Sequence, residues 1–220
     1  MISAIIPLKK NSVRVPNKNF KKFGDTTLTN LKINNLLKVN NLDNIIVNSD
    51  SEEVIEWVKK EYGSNKITYI LREPYFASSK CSGSEFFQNI AENANTDILI
   101  YSPVTSPFLS PKTLELAIDK YLNLDDKHDS VLSVFDLKHH MWMNKEPLNY
   151  NPYYSPNSQD LPTVYSVTYG FGIISRQLMI NRRNIMGEKP YFYELNELES
   201  VDIDTNLDFE FAEFLYNKNK

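Results

Sequence analysis

The sequence predicts an α/β fold in three layers: a mostly parallel sheet with helices on both faces, carrying an inserted arm or lid. Three observations predict it. Short apolar runs recur along the chain and mark buried strands. Stretches with helical apolar spacing lie between them, so strand and helix alternate, as a parallel sheet requires. One segment, 139–162, breaks this rhythm with prolines, asparagines and aromatic residues, and is too long for an ordinary connection.

The first strand is expected at 3–7. A helix over 27–39 places Leu28, Leu31, Ile33, Leu36 and Leu37 at mostly helical spacing. After a strand at 44–48, a helix at 51–62 opens with Ser51-Glu52-Glu53 and buries Val54, Ile55, Trp57 and Val58. Asp50 or Ser51 is its expected cap, with acids in the first turn favoured by the dipole. A strand at 66–71, a helix at 82–93 and a strand at 97–102 follow. Ser110-Pro111 supplies a cap and a first-turn proline for a helix at 111–122. Strands are expected at 130–135 and 168–174, and a last helix over 207–215. In such a sheet ligands sit beyond the carboxyl ends of the strands. The arm is read as serving substrate contact, dimerisation or both.

At roughly 100–200 residues per domain, 220 residues fit one domain, 1–220, with the arm inside it. A hydrophobic content of 41% is ample for a core, and a net charge of -4 argues against nucleic acid as a partner. Cys81 is the one cysteine, so no intramolecular disulfide forms and a reducing cytoplasm is the expected compartment. Cys81 itself is expected to be a buried small residue, not a nucleophile. The apolar opening is too short for a signal peptide and has no basic lead-in. No run approaches the ~18 apolar residues of a membrane span.

Two clusters carry chemistry. Between Leu8 and Asn19, four residues are cationic: Lys9, Lys10, Arg14 and Lys18. A basic loop at the end of the first strand is either a triphosphate cradle or a solvated loop. It is not a Walker loop, since the Gly-x-x-x-x-Gly-Lys pattern is absent. Near the other end stands Val201-Asp202-Ile203-Asp204-Thr205. Alternation puts Asp202 and Asp204 on one face, where two carboxylates can hold Mg²⁺. The other reading is a helix start capped by Asp204 or Thr205. His139 and His140 are adjacent, so their side chains diverge and they make a poor chelating pair. With Trp142 and Tyr165 they are placed at the mouth of an acceptor pocket, packing being the default for the aromatics.

The run from Ile5-Ile6-Pro7 to Pro16-Asn17-Lys18-Asn19 resembles the opening signature of the acylneuraminate cytidylyltransferases, the CMP-sialic acid synthetase family. That signature reads Ile-Pro-Ala-Arg-Gly-Gly-Ser-Lys-x-x-Pro-x-Lys-Asn. The resemblance implies that Lys9 replaces the family's phosphate-contacting Arg, and that Ser12, Lys18 and Asn19 match directly. Lys10 and Asn11 stand where the family has two glycines. Leu8, Lys10, Asn11 and Arg14 complete the implied nucleotide-binding loop.

Four more matches follow in order. Val47-Asn48-Ser49-Asp50-Ser51-Glu52-Glu53 is similar to the family's Val-Ser-Thr-Asp-Ser-Glu-Glu, which gives Asp50 a role at the nucleotide beside its capping one. Arg72-Glu73-Pro74, with Ala77 and Ser82, is similar to the segment lining cytosine and ribose. By residue type alone Arg72 reads as a surface residue. Thr105-Ser106-Pro107 matches the segment near the sugar acid, but Pro103 and Leu109 replace the family's Gln and Arg. Ordinary N-acetylneuraminic acid is therefore not the expected acceptor. Ser200-Val201-Asp202-Ile203-Asp204-Thr205 is similar to the closing Ser-x-Asp-Ile-Asp-Thr, which makes Asp202 and Asp204 the metal ligands.

The resemblance thus implies a nucleotide-diphospho-sugar transferase-like fold and a homodimer. It implies transfer of CMP from CTP, with Mg²⁺, to a small acidic acceptor. That acceptor is a sugar acid of the legionaminic or pseudaminic type, made for surface polysaccharide. Lys9, Lys18, Asp202 and Asp204 carry catalysis, while Thr105 and Ser106 face the acceptor; Gln159 and Tyr165, at the end of the arm, are read from their position as contacts to the acceptor or to the dimer partner. Kdo, a phosphonate or a phosphorylated small molecule are alternative acceptors. A glycosyltransferase with an Asp-x-Asp metal site and a non-catalytic nucleotide-binding relative are the alternatives from other classes.

Overall fold

A computed structural model describes residues 1–63 and 66–219. In chain order the elements are β1 (Ile2–Leu8), β2 (Lys22–Phe23), β3 (Thr26–Thr27), α1 (Leu28–Leu37), β4 (Asn44–Ser49), α2 (Glu52–Tyr62), β5 (Ile67–Leu71), α3 (Gly83–Asn93), β6 (Ile98–Tyr101) and α4 (Pro111–Leu122). The second half supplies β7 (Ser130–Asp136), β8 (Trp142–Met143), β9 (Glu146–Pro147), β10 (Tyr165–Ser175), α5 (Arg176–Arg182), β11 (Pro190–Glu194) and α6 (Asn206–Lys218). No described helix is long and apolar enough to cross a membrane.

Seven strands form one sheet in the order β11-β7-β10-β6-β1-β4-β5. All neighbours pair in parallel except β10, which runs antiparallel to β6 and β7. The sheet is thus mostly parallel, as the alternation predicts. Burial follows the strand period of two. Ala4, Ile6, Leu8, Ile45, Val47, Ile100, Val131 and Ile173 join one core with the apolar faces of α1, α2, α4 and α6. Ile5, Ile46, Leu99, Leu132 and Ile174 join a second core with Ile90 and Ala91 of α3 and Met179 of α5. Each fully buried Ile or Leu contributes about 1.5–3 kcal/mol by leaving water.

Helix starts follow their caps. Ser110, Ser175 and Thr27 each accept a hydrogen bond from a first-turn amide. Ser82 with Glu85, and Thr205 with Asp208, form reciprocal capping boxes. Ser51 occupies the start of α2 without capping it through its side chain. Asp50 does not cap it either, because its carboxylate accepts from the Lys10 amide at 3.1 Å. The strand expected at 168–174 begins three residues earlier, at Tyr165, and is interrupted by a bulge between Val167 and Gly172. The pattern misses β11 because its inner side chains, Tyr191 and Tyr193, are only part-buried.

Segment 139–162 carries the β8–β9 hairpin and two single 3-10 turns. It is tied to itself: His140 Nε2 lies 3.1 Å from the Pro156 carbonyl, its ring sits edge-on to Tyr150, and Trp142 Nε1 donates to the Tyr150 hydroxyl at 2.8 Å. His140 and Trp142 therefore belong to the packing of this segment, while His139 is exposed and joins it through its carbonyl, which accepts from Asn149 Nδ2 at 2.8 Å.

Candidate active site

The loops following β1, β5 and β6, together with the stretch before α6, enclose a cleft of about 570 Å³ at the carboxyl edge of the parallel strands. The loop after β1 folds back on itself through Lys18 N to Val15 O at 3.1 Å and Phe20 N to Asn17 O at 2.9 Å. Val15 is buried and anchors it. The turn's positive φ falls on Asn17, a residue type that tolerates it, and not on Lys10 or Asn11. Those two positions therefore place no conformational demand for glycine. Asn19 is buried, its Nδ2 donating to the Lys9 carbonyl at 2.9 Å and its own carbonyl accepting from Thr29 Oγ1 at 2.7 Å. This clamp presents Lys9, Ser12, Arg14 and Lys18 to the cleft.

Lys18 joins the two ends of the chain. Its Nζ donates to the Ile203 carbonyl at 2.6 Å, 185 positions away. Burial lowers its pKa, and the nearby carboxylates Asp204 and Asp202 push the other way. Ile203 is fully buried and its amide donates to the Thr105 carbonyl at 3.0 Å. Its neighbours Asp202 and Asp204 both line the cleft. Asp204 pairs with Arg14 Nη2 at 2.7 Å. Burial raises the Asp202 pKa, with the Thr105 hydroxyl acting against that shift. Asp202 Oδ1 is buried and has no hydrogen-bond partner among the described residues. A desolvated carboxylate oxygen left in that state is costly and chemically hungry for a cation.

Arg72, a surface residue by type, is instead buried under the cleft with its side chain 2% exposed. Nη1 donates to the Asn48 carbonyl at 2.9 Å and to the Asn48 side-chain oxygen. Nη2 donates to the Leu8 carbonyl at 3.4 Å and lies 3.8 Å from Asp50. The guanidinium sits 5.3 Å from the Phe86 ring centre. Burial lowers its pKa, opposed chiefly by Asp50. Arg72 thereby welds the ends of β1, β4 and β5 into one floor.

Ten of the candidate site residues line the cleft: Lys9, Ser12, Arg14, Lys18, Asn19, Arg72, Ser82, Thr105, Asp202 and Asp204. The Ser82 hydroxyl is committed to Glu85 in the capping box, which limits what it offers a ligand. Others lie off the lining. Leu8 is a core residue of β1, and Ser106 is buried behind the loop. Lys10 is exposed and pairs with Glu53, while Asn11 is exposed. Gln159 is exposed on the arm, and Tyr165 packs edge-on to Phe192 with its hydroxyl toward Glu194. Cys81, expected to be buried, is only part-buried and lines the cleft.

Sequence reasoning missed Phe86, Tyr101 and Tyr169 in the lining, and Lys32 beneath it. Lys32 had a signal: it falls on the face of α1 shared by Leu28 and Leu36. Only 3% exposed, it donates to the Ser106 carbonyl at 3.0 Å and lies 3.4 Å from Ser102 Oγ. Burial depresses its pKa to about 7, partly countered by Asp202. The unfolded lysine then holds its proton over a range in which the folded one has lost it. Stability from this group is full above the unfolded pKa and is lost as pH falls through the folded value. Urea midpoints should therefore rise from about pH 7 upward, and Lys32→Met should flatten that rise. Parallel profiles for both proteins would refute this titration.

Comparison with known proteins agrees with the geometry. A family model described as Cytidylyltransferase matches residues 3–220. The pseudaminic acid cytidylyltransferase of Campylobacter jejuni is 28% identical over 225 residues, covering 98% of this chain and 96% of that protein. N-acylneuraminate cytidylyltransferase A of Danio rerio is 27% identical over 221 residues, covering 96% of this chain and 50% of its own. Among solved structures, a CMP:2-keto-3-deoxy-manno-octonic acid synthetase complexed with CTP superposes with a TM-score of 0.68 at 14% identity, over 100% of this chain and 99% of that one. The last likeness is one of fold.

Proposed function

Because the chain belongs to the cytidylyltransferase family, which includes the acylneuraminate enzymes, we propose that it transfers CMP from CTP to a sugar acid of the pseudaminic or legionaminic type. The observation that carries the reading is the junction of Lys18 with the Asp202–Asp204 stretch. One cleft thereby gathers four cations, Lys9, Arg14, Lys18 and Arg72, around two carboxylates. Cations suit a triphosphate, and carboxylates beside it suit a hard metal ion.

Among the described residues no group of three or more His, Cys, Asp or Glu is arranged to hold a metal. Mg²⁺ needs no such cage, because it is bound by one or two carboxylates plus substrate phosphates and water. The unpartnered Oδ1 of Asp202 fits that role, with Asp204 beside it. When bound, the ion would neutralise charge on the reacting phosphate.

The chain's own contribution is positioning and charge. An acceptor hydroxyl attacks the α-phosphorus of CTP, the new P–O bond forms as the bond to the β-phosphate breaks, and pyrophosphate leaves while the hydroxyl proton passes to solvent. Lys9 and Lys18 offset the charge that builds on the leaving pyrophosphate. Arg14, held by Asp204, is placed to follow the phosphates once they arrive. Arg72 and Phe86 form the floor and wall for the base. Thr105 faces the acceptor side. The arm completes the reading as a homodimer contact: Tyr153 and Tyr154 are 90% and 82% exposed, an unusual cost for a free surface. The cytoplasm, where CTP is made, is the compartment assigned.

Thermal melting with CTP, UTP, ATP and GTP, each with and without Mg²⁺, tests the nucleotide half. At ~100 times its Kd a ligand stabilises by ~2.7 kcal/mol, a shift of several degrees. CTP with Mg²⁺ should give the largest shift, and pyrophosphate should then appear on adding pseudaminic acid. Equal shifts with all four nucleotides, or none, would end the cytidylyltransferase assignment. Sedimentation of the same samples reads the homodimer directly, and a monomer at micromolar concentration would remove it.

A further inference from the structure

The bulge in β10 holds a backbone outlier. Val167 pairs with Val134 and Gly172 with Leu132, so the four residues 168–171 oppose Ser133 alone. Ser133 Oγ organises them: it accepts from Phe171 N at 3.0 Å and from Thr168 Oγ1 at 2.8 Å, and donates to the Phe171 carbonyl at 3.0 Å. Thr168 Oγ1 in turn accepts from Gly170 N at 3.4 Å. Between these anchors Tyr169 is forced to φ +53. For a bulky L-residue this conformation is an outlier, and such outliers persist where surroundings over-determine them, often at functional sites. Bulges beside active sites commonly serve to re-aim a side chain.

The fold gains little from a tyrosine here. Phe171, fully buried, does the core packing, whereas Tyr169 is 48% exposed. What Tyr169 does is line the cleft, in the company of Pro103, Val104, Thr105 and Asp202. Tyr101, half-buried at the end of β6, lines the same cleft, and β10 pairs with β6 at Gly172 and Tyr101, three residues along from Tyr169. The four cations of the cleft all come from the loops after β1 and β5. Tyr169 comes from β10, on the far side of β6 from β1, and among the described residues no Lys or Arg lines the cleft from that side.

We infer that Tyr169 is a specificity-determining residue of the acceptor half of the cleft, its ring forming the wall against which the sugar acid seats beside Asp202. The inference rests on the cytidylyl-transfer reading above. An aromatic face suits the C–H surface of a sugar ring, and the bulge sets its angle.

Tyr169→Asn and Tyr169→Phe test it, assayed for pyrophosphate release with pseudaminic acid. Asn tolerates positive φ, so that variant should melt about 2–4 °C higher. Its KM for pseudaminic acid should rise at least tenfold while its KM for CTP stays within twofold. Phe keeps the ring and should keep the acceptor KM near that of the unmodified protein. An unchanged acceptor KM in Tyr169→Asn overturns the inference, as does a fall in its melting temperature, which would make the ring a packing residue. A Tyr169→Phe variant as impaired as Tyr169→Asn overturns the ring-wall assignment. An unmodified protein that releases pyrophosphate with no sugar acid tested fails at the underlying reading instead, and takes the inference with it.

Discussion

Asp202→Asn should lower turnover by more than about 100-fold and leave the protein folded and at least as stable. The loss of an outer-shell partner at a metal site already costs about 10–100-fold, and the proposed role of Asp202 is as a ligand itself. The stability half follows from its surroundings. Burial raises the Asp202 pKa, so the ionised carboxylate is a burden on the folded state at neutral pH. Its Oδ1 has no partner that Asn would forfeit. Removing a charge kept for function commonly trades activity for stability. Turnover and urea midpoint measured on one preparation decide it. Near-normal turnover would sink the metal assignment, and a large fall in midpoint would make Asp202 structural.

Arg72→Met carries the second large effect, on stability and CTP binding together. Asn48 and Leu8 would lose the donors to their oxygens, and Asp50 would lose its partner. Breaking a buried charged network by removing one partner costs about 3–5 kcal/mol. At about 2–4 °C per kcal/mol for a chain of this size, the melting temperature should fall by roughly 6 °C or more. The CTP-dependent shift should shrink as well, since the floor beneath the proposed base site is gone. Arg72→Lys should rescue little, because an ammonium cannot span the Leu8, Asn48 and Asp50 oxygens as a planar guanidinium does. A melting temperature unchanged in Arg72→Met would refute the welding role.

Much of the fold was legible because it rests on local periodicities. Apolar runs of strand length alternating with helical stripes dictate a covered parallel sheet, and caps such as Ser110 and Ser82 act within a few residues of where they stand. β11 was illegible because its side chains reach the core only partly, so no apolar run marks it. The bulge at 168–171 was illegible because it is set by one serine of another strand.

The candidate site divides in the same way. The basic run after β1 and the two carboxylates near the end announce their chemistry by residue type, and their order along the chain, with the segments between, resembles one family. From the sequence itself came the chemistry on offer: cations for phosphate and paired acids for a hard ion. What only the tertiary structure decided is which of these groups meet, and in what state. Lys18 touches the Ile203 carbonyl because β1 lies mid-sheet and the chain's last stretch folds back over its end. Arg72 is buried, Lys10 is drawn off to Glu53, and Lys32 sits under Asp202 on an otherwise apolar helix face. Burial and partnership are properties of elements far apart in the chain, and they set charge state and reach. Residue type limits what a side chain can do, while the distant segments packed around it determine whether it does so.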